Sequence, residues 1–293
     1  MRRFLKWFGA VLLLLFVALW IGVGYVGTNI VTAASHRKAR EKSEIAGKPV
    51  EQVSITTEDG VVLSAWYVPN GGENAVITLP GITADRGQLV PTAETYINWG
   101  FSALLPDLRG TGESQGDLVS IGYHERKDLI ACVRWLQNKG IKTIGAHGFS
   151  LGAATVCFAM KELPDLGFAV VESSYDTMKS ATEHRLDMVY MPHFIGWPFG
   201  YFLGRRIGAD FADISPVNYI SYCKCPALVM SGDSEGVVSP SETLALYEKC
   251  GSDRKQMHSF KNGRHRPSIS EFPDEARNTL RQFLTEEVGC TLP

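Results

Sequence analysis

Gly148-Phe149-Ser150-Leu151-Gly152 has the G-x-S-x-G pattern, and its surroundings suit a nucleophile. The apolar, β-branched stretch before it predicts a strand over 143–147, and the small apolar residues after Ser150 predict a helix over 151–161. A serine in a sharp strand-to-helix turn takes positive φ and lifts its hydroxyl clear of the sheet. Side chains two residues to either side would collide, hence Gly148 and Gly152. A serine hydroxyl needs a base to remove its proton, and the base needs a carboxylate to orient it. Downstream, Gly232-Asp233-Ser234-Glu235-Gly236 offers two acids, Asp233 and Glu235, and Lys261-Asn262-Gly263-Arg264-His265 offers a histidine. The chain order serine, acid, histidine is the one that strand-turn-helix nucleophiles of this kind use. One oxyanion donor would be the backbone N–H of Leu151, the residue after the serine.

The elements that must hold these groups can be read around them. A β-hairpin is expected over 53–57 and 61–68, turning at Glu58-Asp59-Gly60. Short apolar runs predict further strands over 75–79, 102–106, 168–172, 227–231 and 256–260. Helical periodicity marks 125–137, 240–249 and 275–287. Alternating strand and helix implies an α/β fold with a mostly parallel central sheet, helices on both faces, and an antiparallel start. The candidate acid and histidine then fall in loops at the carboxyl ends of neighbouring strands, where such sheets bind ligands. Residues 175–214 are too long for an ordinary connection and predict a cap insertion, rich in residues such as Met188, Tyr190, Trp197 and Phe202.

With these motifs in hand, the body resembles the α/β-hydrolase superfamily, in particular its bacterial serine aminopeptidase-like or esterase-like group. Asp107-Leu108-Arg109-Gly110-Thr111-Gly112-Glu113-Ser114 is similar to the family's D-x-R-G-x-G-x-S loop, and Gly232 to Val238 to its G-x-x-D-x-x-V acid loop. The resemblance covers most of the chain after residue 50. It implies Glu235 as the triad acid, with Asp233 the alternative, His265 as the base, and Ile82 as the second oxyanion donor. The family usually has His-Gly before that donor, where this chain has Pro80-Gly81. The implied activity is cleavage of an ester, thioester or amide through an acyl-enzyme, with no cofactor and no metal. A small-molecule or peptide substrate, with an apolar acyl group among the options, fits the cap's composition. An acyltransferase and a non-catalytic binding protein of the same fold are the alternatives.

Gly110, Gly112 and Gly116 follow G-x-G-x-x-x-G rather than a dinucleotide-binding G-x-G-x-x-G, so this segment reads as a structural turn in which Asp107 and Arg109 fix loops. His147, inside the strand before the elbow, reads as a hydrogen-bonded core residue.

The N-terminus differs in kind. Phe8 to Val31 carries no charged side chain, and at about 1.5 Å per residue it can cross a hydrocarbon core of about 30 Å. Thr32-Ala33-Ala34 would suit a signal peptidase, but the apolar run exceeds the roughly 7–15 residues of a signal h-region. The expected organisation is a single-pass membrane anchor over 1–34, a polar linker or juxtamembrane helix over 35–48, and the catalytic domain over 49–293. A short N-tail with Arg2, Arg3 and Lys6 is simplest to leave in the cytoplasm, which puts the body outside it. With 29 Lys and Arg against 31 Asp and Glu, the net charge of −2 gives no reason to expect a nucleic-acid partner. Six cysteines leave the redox state open: Cys132 and Cys157 read as buried thiols, and Cys223, Cys225, Cys250 and Cys290 could pair in an oxidising compartment.

Overall fold

The structure is a computed structural model and describes residues 2–293. Eight strands form the main sheet: β1 Glu51–Thr56, β2 Val62–Val68, β3 Asn74–Leu79, β4 Ser102–Pro106, β5 Thr143–Phe149, β6 Phe168–Glu172, β7 Ala227–Gly232 and β8 Lys255–Phe260. Their spatial order is β8-β7-β6-β5-β3-β4-β2-β1. β1 and β2 pair antiparallel, β2 joins β4 antiparallel, and every pairing from β4 through β8 is parallel.

β3 and β4 are buried at nearly every position because helices cover both sheet faces. Along β3, Ala75, Ile77 and Leu79 point into one core and Val76 into the other. The first core packs against α3 Arg126–Asn138, α4 Leu151–Ala159 and α8 Pro240–Lys249 through Leu129, Val156 and Leu246. The second packs against α2 Val90–Asn98 and α10 Pro273–Phe283 through Tyr96, Leu280 and Phe283. Burying each such aliphatic or aromatic side chain contributes about 1.5–3 kcal/mol. Local chemistry sets the helix starts: α8 opens on a capping box in which Ser239 and Glu242 satisfy each other's backbone N–H, with Pro240 in the first turn.

The insertion after β6 contains α5 Met178–Met188, a 3-10 turn at His193–Gly196 and α6 Trp197–Ile207, and the chain returns to the body at α7 Pro216–Ile220. A third apolar cluster, including Met178, Leu203 and Ile214, seats it on Ile121, Ala154 and Phe158.

α1 Arg2–Val31 is long and apolar enough to cross a membrane. The segment after it departs from the expected linker or helix. Residues 33–36 run extended along the loop after β4, where Ser35 N–H donates to Gly110 O at 2.8 Å and Gly112 N–H to Ser35 O at 3.0 Å. Glu44–Ile45 and Lys48–Pro49 then pair as a small hairpin, and Ala39 and Ile45 are buried in the second core. Charged neighbours hide these two apolar contacts from any periodicity, and the backbone pairing depends on a loop some 75 residues away. All six cysteines are free thiols, with Cys223 Sγ 3.5 Å from Cys225 Sγ.

Candidate active site

Ser150 stands between β5 and α4 at φ 53° and ψ −110°, a conformation that typically costs about 1–3 kcal/mol in a non-glycine residue. Its N–H donates to Glu172 O at 2.8 Å, tying the turn to the end of β6. The flanking glycines are required by contact: a Cβ on Gly148 would lie 2.2 Å from Gly152 O, and one on Gly152 would lie 2.0 Å from Leu79 O.

The loops after β7 and β8 bring Glu235 and His265 to this turn. His265 Nδ1 is 2.7 Å from Glu235 Oε2, and His265 Nε2 is 2.9 Å from Ser150 Oγ. The ring stacks at a tilt on Phe149, centroids 5.0 Å apart. Glu235 is buried and its other oxygen is satisfied, accepting from Gly232 N–H at 2.9 Å and from the Ser173 hydroxyl. An ionised Glu235 accepts from Nδ1–H, which leaves Nε2 free to accept the Ser150 proton. Asp233 is turned elsewhere: its Oδ1 accepts from Asn262 N–H at 2.6 Å and from the Ser234 hydroxyl at 2.9 Å, bracing the turn that carries His265.

Leu151 and Ile82 line the same cavity as Ser150. Gly81 N–H, next to Ile82, donates to Gln88 Oε1 at 2.7 Å, so a side chain seven residues ahead holds the loop that Pro80 cannot brace. Neither Gln88 nor Ser173 was signalled by any motif. Both act through contacts across loops, and no local spacing distinguishes them from surface polar residues.

His147 is fully buried beneath the site. Its Nε2 is 2.8 Å from Glu172 Oε2 and its Nδ1 is 3.2 Å from the Tyr96 hydroxyl. Glu172 Oε1 accepts from Ser268 N–H, three residues past His265, so one buried carboxylate steadies the loop bearing the histidine while the backbone of Glu172 steadies the serine.

The loop after β4 is cross-linked. Asp107 accepts from Arg86 N–H at 2.7 Å and Glu113 N–H at 2.8 Å, and burial pushes its carboxyl up. Arg109 joins Asp59, at 2.8 and 3.0 Å, to Asp128, at 2.8 Å. The hydrogen bond from Arg109 holds the Asp59 carboxyl far below the usual range, whereas burial pushes Asp128 up to about 7 despite the same partner. Asp107 and Arg109 thus fix loops, and no nucleotide cradle forms. Among the described residues, no cluster of three or more His, Cys, Asp or Glu side chains is arranged to hold a metal ion.

A cavity of about 440 Å³ lies over Ser150, between the sheet edge and the cap. Its walls are mostly aliphatic and aromatic, including Ile121, Met178, Leu186, Ile195 and Phe199.

The strand order, the strained serine between β5 and α4, and the covering cap define an α/β-hydrolase. Residues 25–199 match the model of the X-Pro dipeptidyl-peptidase (S15 family), and the chain belongs to that family. It is 27% identical to the Bacillus subtilis protein YqkD over 241 residues, 78% of this chain and 77% of that one. It is 23% identical to a thermostable monoacylglycerol lipase of a Bacillus species, covering 68% of this chain and 85% of the lipase. An esterase of Pyrococcus furiosus superimposes with a TM-score of 0.73 at 27% identity, covering 88% of this chain and all (100%) of that structure. The protein is therefore a hydrolase of the esterase and peptidase type.

Proposed function

We propose that the protein is a membrane-anchored serine hydrolase of acyl esters, working through Ser150, His265 and Glu235. Ser150 Oγ attacks the carbonyl carbon while its proton passes to His265 Nε2. Glu235 holds the imidazole in the Nδ1–H tautomer and offsets the charge it gains. The N–H groups of Leu151 and Ile82 stabilise the oxyanion; each such donor is typically worth about 2.7–4 kcal/mol in the transition state. The ester C–O bond then breaks, the alcohol leaves with the proton from His265, and water attacks the acyl-enzyme by the reverse proton path to release a carboxylic acid.

The observation that carries this reading is the unbroken chain of contacts, 2.9 Å from Ser150 to His265 and 2.7 Å from His265 to Glu235, at the base of an apolar cavity. An acyl ester is favoured over a peptide with a free amino terminus because the residues lining the cavity include no carboxylate to receive an ammonium group. Arg185 on that lining would repel one. The lipase and esterase among the relatives point the same way. α1 is the anchor, and its short basic N-tail favours a cytoplasmic start with the body on the other side.

A fluorophosphonate probe tests the mechanism. It should label the wild-type protein at Ser150 and fail to label Ser150→Ala; a wild type that does not label refutes the proposal.

A further inference from the structure

α1 does not leave the body where a plain anchor would. Its first four turns and more stand clear of the body, with Phe4, Leu14 and Leu19 each about 70% exposed. Its last turns lie against the cap. Trp20 Nε1–H donates to Ile195 O at 3.2 Å, the Thr28 hydroxyl to Phe199 O at 3.3 Å, and Arg206 Nε–H to Thr32 Oγ1 at 2.7 Å. Tyr25 meets Phe202 edge-on with centroids 5.4 Å apart. At Gly24 the two backbones touch, since a Cβ there would lie 2.5 Å from Pro198 Cβ and 2.6 Å from Phe199 N.

The cavity over Ser150 continues along this contact. Val23, Gly24, Gly27 and Val31 of α1 line it, opposite Leu186 and Phe199 of the cap. Positions 23, 27 and 31 recur every four residues and so form one stripe of the helix. Gly27 sits in the middle of that stripe, and a Cβ on it would touch only Phe199 Cδ2, at 3.7 Å, so the absent side chain leaves open space beside the ring. The mouth is apolar outside as well: the cap's exposed Tyr190, Met191, Phe194 and Trp197 adjoin α1, with Phe194 edge-on to Trp20 at 5.9 Å.

We propose that the last two turns of α1 are a wall of the acyl site, and that the gap at Gly27 takes the distal part of a long acyl chain entering from the bilayer. This rests on the serine-hydrolase reading above. The anchor is then part of the specificity pocket, and the substrate class is a membrane-resident long-chain acyl ester. A chain leaving the bilayer beside α1 can slide along the same helix toward Ser150 without crossing water, so its methylenes stay out of solvent throughout.

The test uses the full chain in phosphatidylcholine nanodiscs and p-nitrophenyl esters from acetate to palmitate. Each buried methylene is worth about 0.8 kcal/mol, or about fourfold in kcat/KM. Gly27→Leu, displacing roughly three methylenes, should lower kcat/KM for palmitate by about 50-fold and leave acetate within about threefold. Gly22→Leu, at a position with no atom within 4 Å of a Cβ, should leave the profile unchanged. A Gly27→Leu protein that labels fully at Ser150 with an unaltered chain-length profile overturns the proposal, as does an equal shift in Gly22→Leu. Should Gly27→Leu fail to label, Gly27→Ala replaces it, with an expected loss of about fourfold confined to the longest esters; no such loss overturns the proposal. Wild type that neither labels nor cleaves any ester removes the hydrolase reading itself. Labelling with normal acetate turnover and a silent Gly27 removes only the wall.

Discussion

Glu235→Gln tests the proposed division of labour between the two acids of the loop after β7. Glu235 Oε1 receives two donors, Gly232 N–H at 2.9 Å and the Ser173 hydroxyl, whereas Oε2 meets His265 Nδ1 at 2.7 Å. A glutamine must turn its carbonyl oxygen toward the two donors, so its NH₂ faces His265. Nδ1 then has to accept, the proton moves to Nε2, and the nitrogen 2.9 Å from Ser150 Oγ can no longer take the serine proton. The same tautomer error in a Ser-His-Asp triad costs about 10⁴ in kcat, close to 5.4 kcal/mol at about 1.36 kcal/mol per decade. The expected result is a fall of about that size in kcat for a short ester and in the rate of fluorophosphonate labelling, with KM little changed. Asp233→Asn, which leaves an amide oxygen for Asn262 N–H, should stay within about tenfold of wild type because Asp233 only braces the turn. A Glu235→Gln enzyme within tenfold of wild type would refute the reasoning, and a large loss in Asp233→Asn instead would transfer the role to Asp233.

Two further outcomes follow from contacts outside the triad. Gln88→Ala deprives Gly81 N–H of its acceptor beside the proposed oxyanion donor Ile82; kcat should fall about tenfold with KM nearly constant, and Gln88→Glu, which keeps an acceptor, should recover most of it in steady-state assays. Asp59 has its folded carboxyl held below the unfolded value of about 3.9, so its contribution to stability is complete above about pH 4 and disappears as pH falls toward the lower folded value. Thermal midpoints of the detergent-solubilised protein between pH 3 and 7 should therefore drop less steeply on acidification in Asp59→Asn than in wild type. Parallel curves would show that the Arg109 pairing does not govern the acid limb.

Much of the fold could be read locally. Strands over 102–106 and 168–172 and the helix over 240–249 have in the structure the bounds their composition predicts, and the others differ by a few residues at their ends. Each is a short apolar or periodic run closed by turn residues, so its identity depends little on what it packs against. The placement of Ser150, Glu235 and His265 was legible for a related reason: a glycine-flanked serine between strand and helix, and polar loops after two later strands, state in one dimension which residues reach the carboxyl edge of a parallel sheet. Choosing between Glu235 and Asp233 needed more. Two residues apart in one loop, they differ in the direction the backbone gives them, and only the structure shows one aimed at His265 and the other at Asn262.

The sequence by itself determined the parallel α/β body, the strained serine turn, the order of the groups along the chain and the presence of an apolar N-terminal helix, because steric and hydrophobic patterns act within a few residues of each other. Tertiary structure alone decided what meets across the chain. Ser173 reaches Glu235, Gln88 braces Gly81, Glu172 spans the loops of Ser150 and Ser268, residues 35–48 pair with the body, and the end of α1 closes one side of the cavity over the serine. These contacts join residues up to about 180 positions apart, and no local preference encodes them. They arise only when the sheet edge, the cap and the anchor helix are packed together.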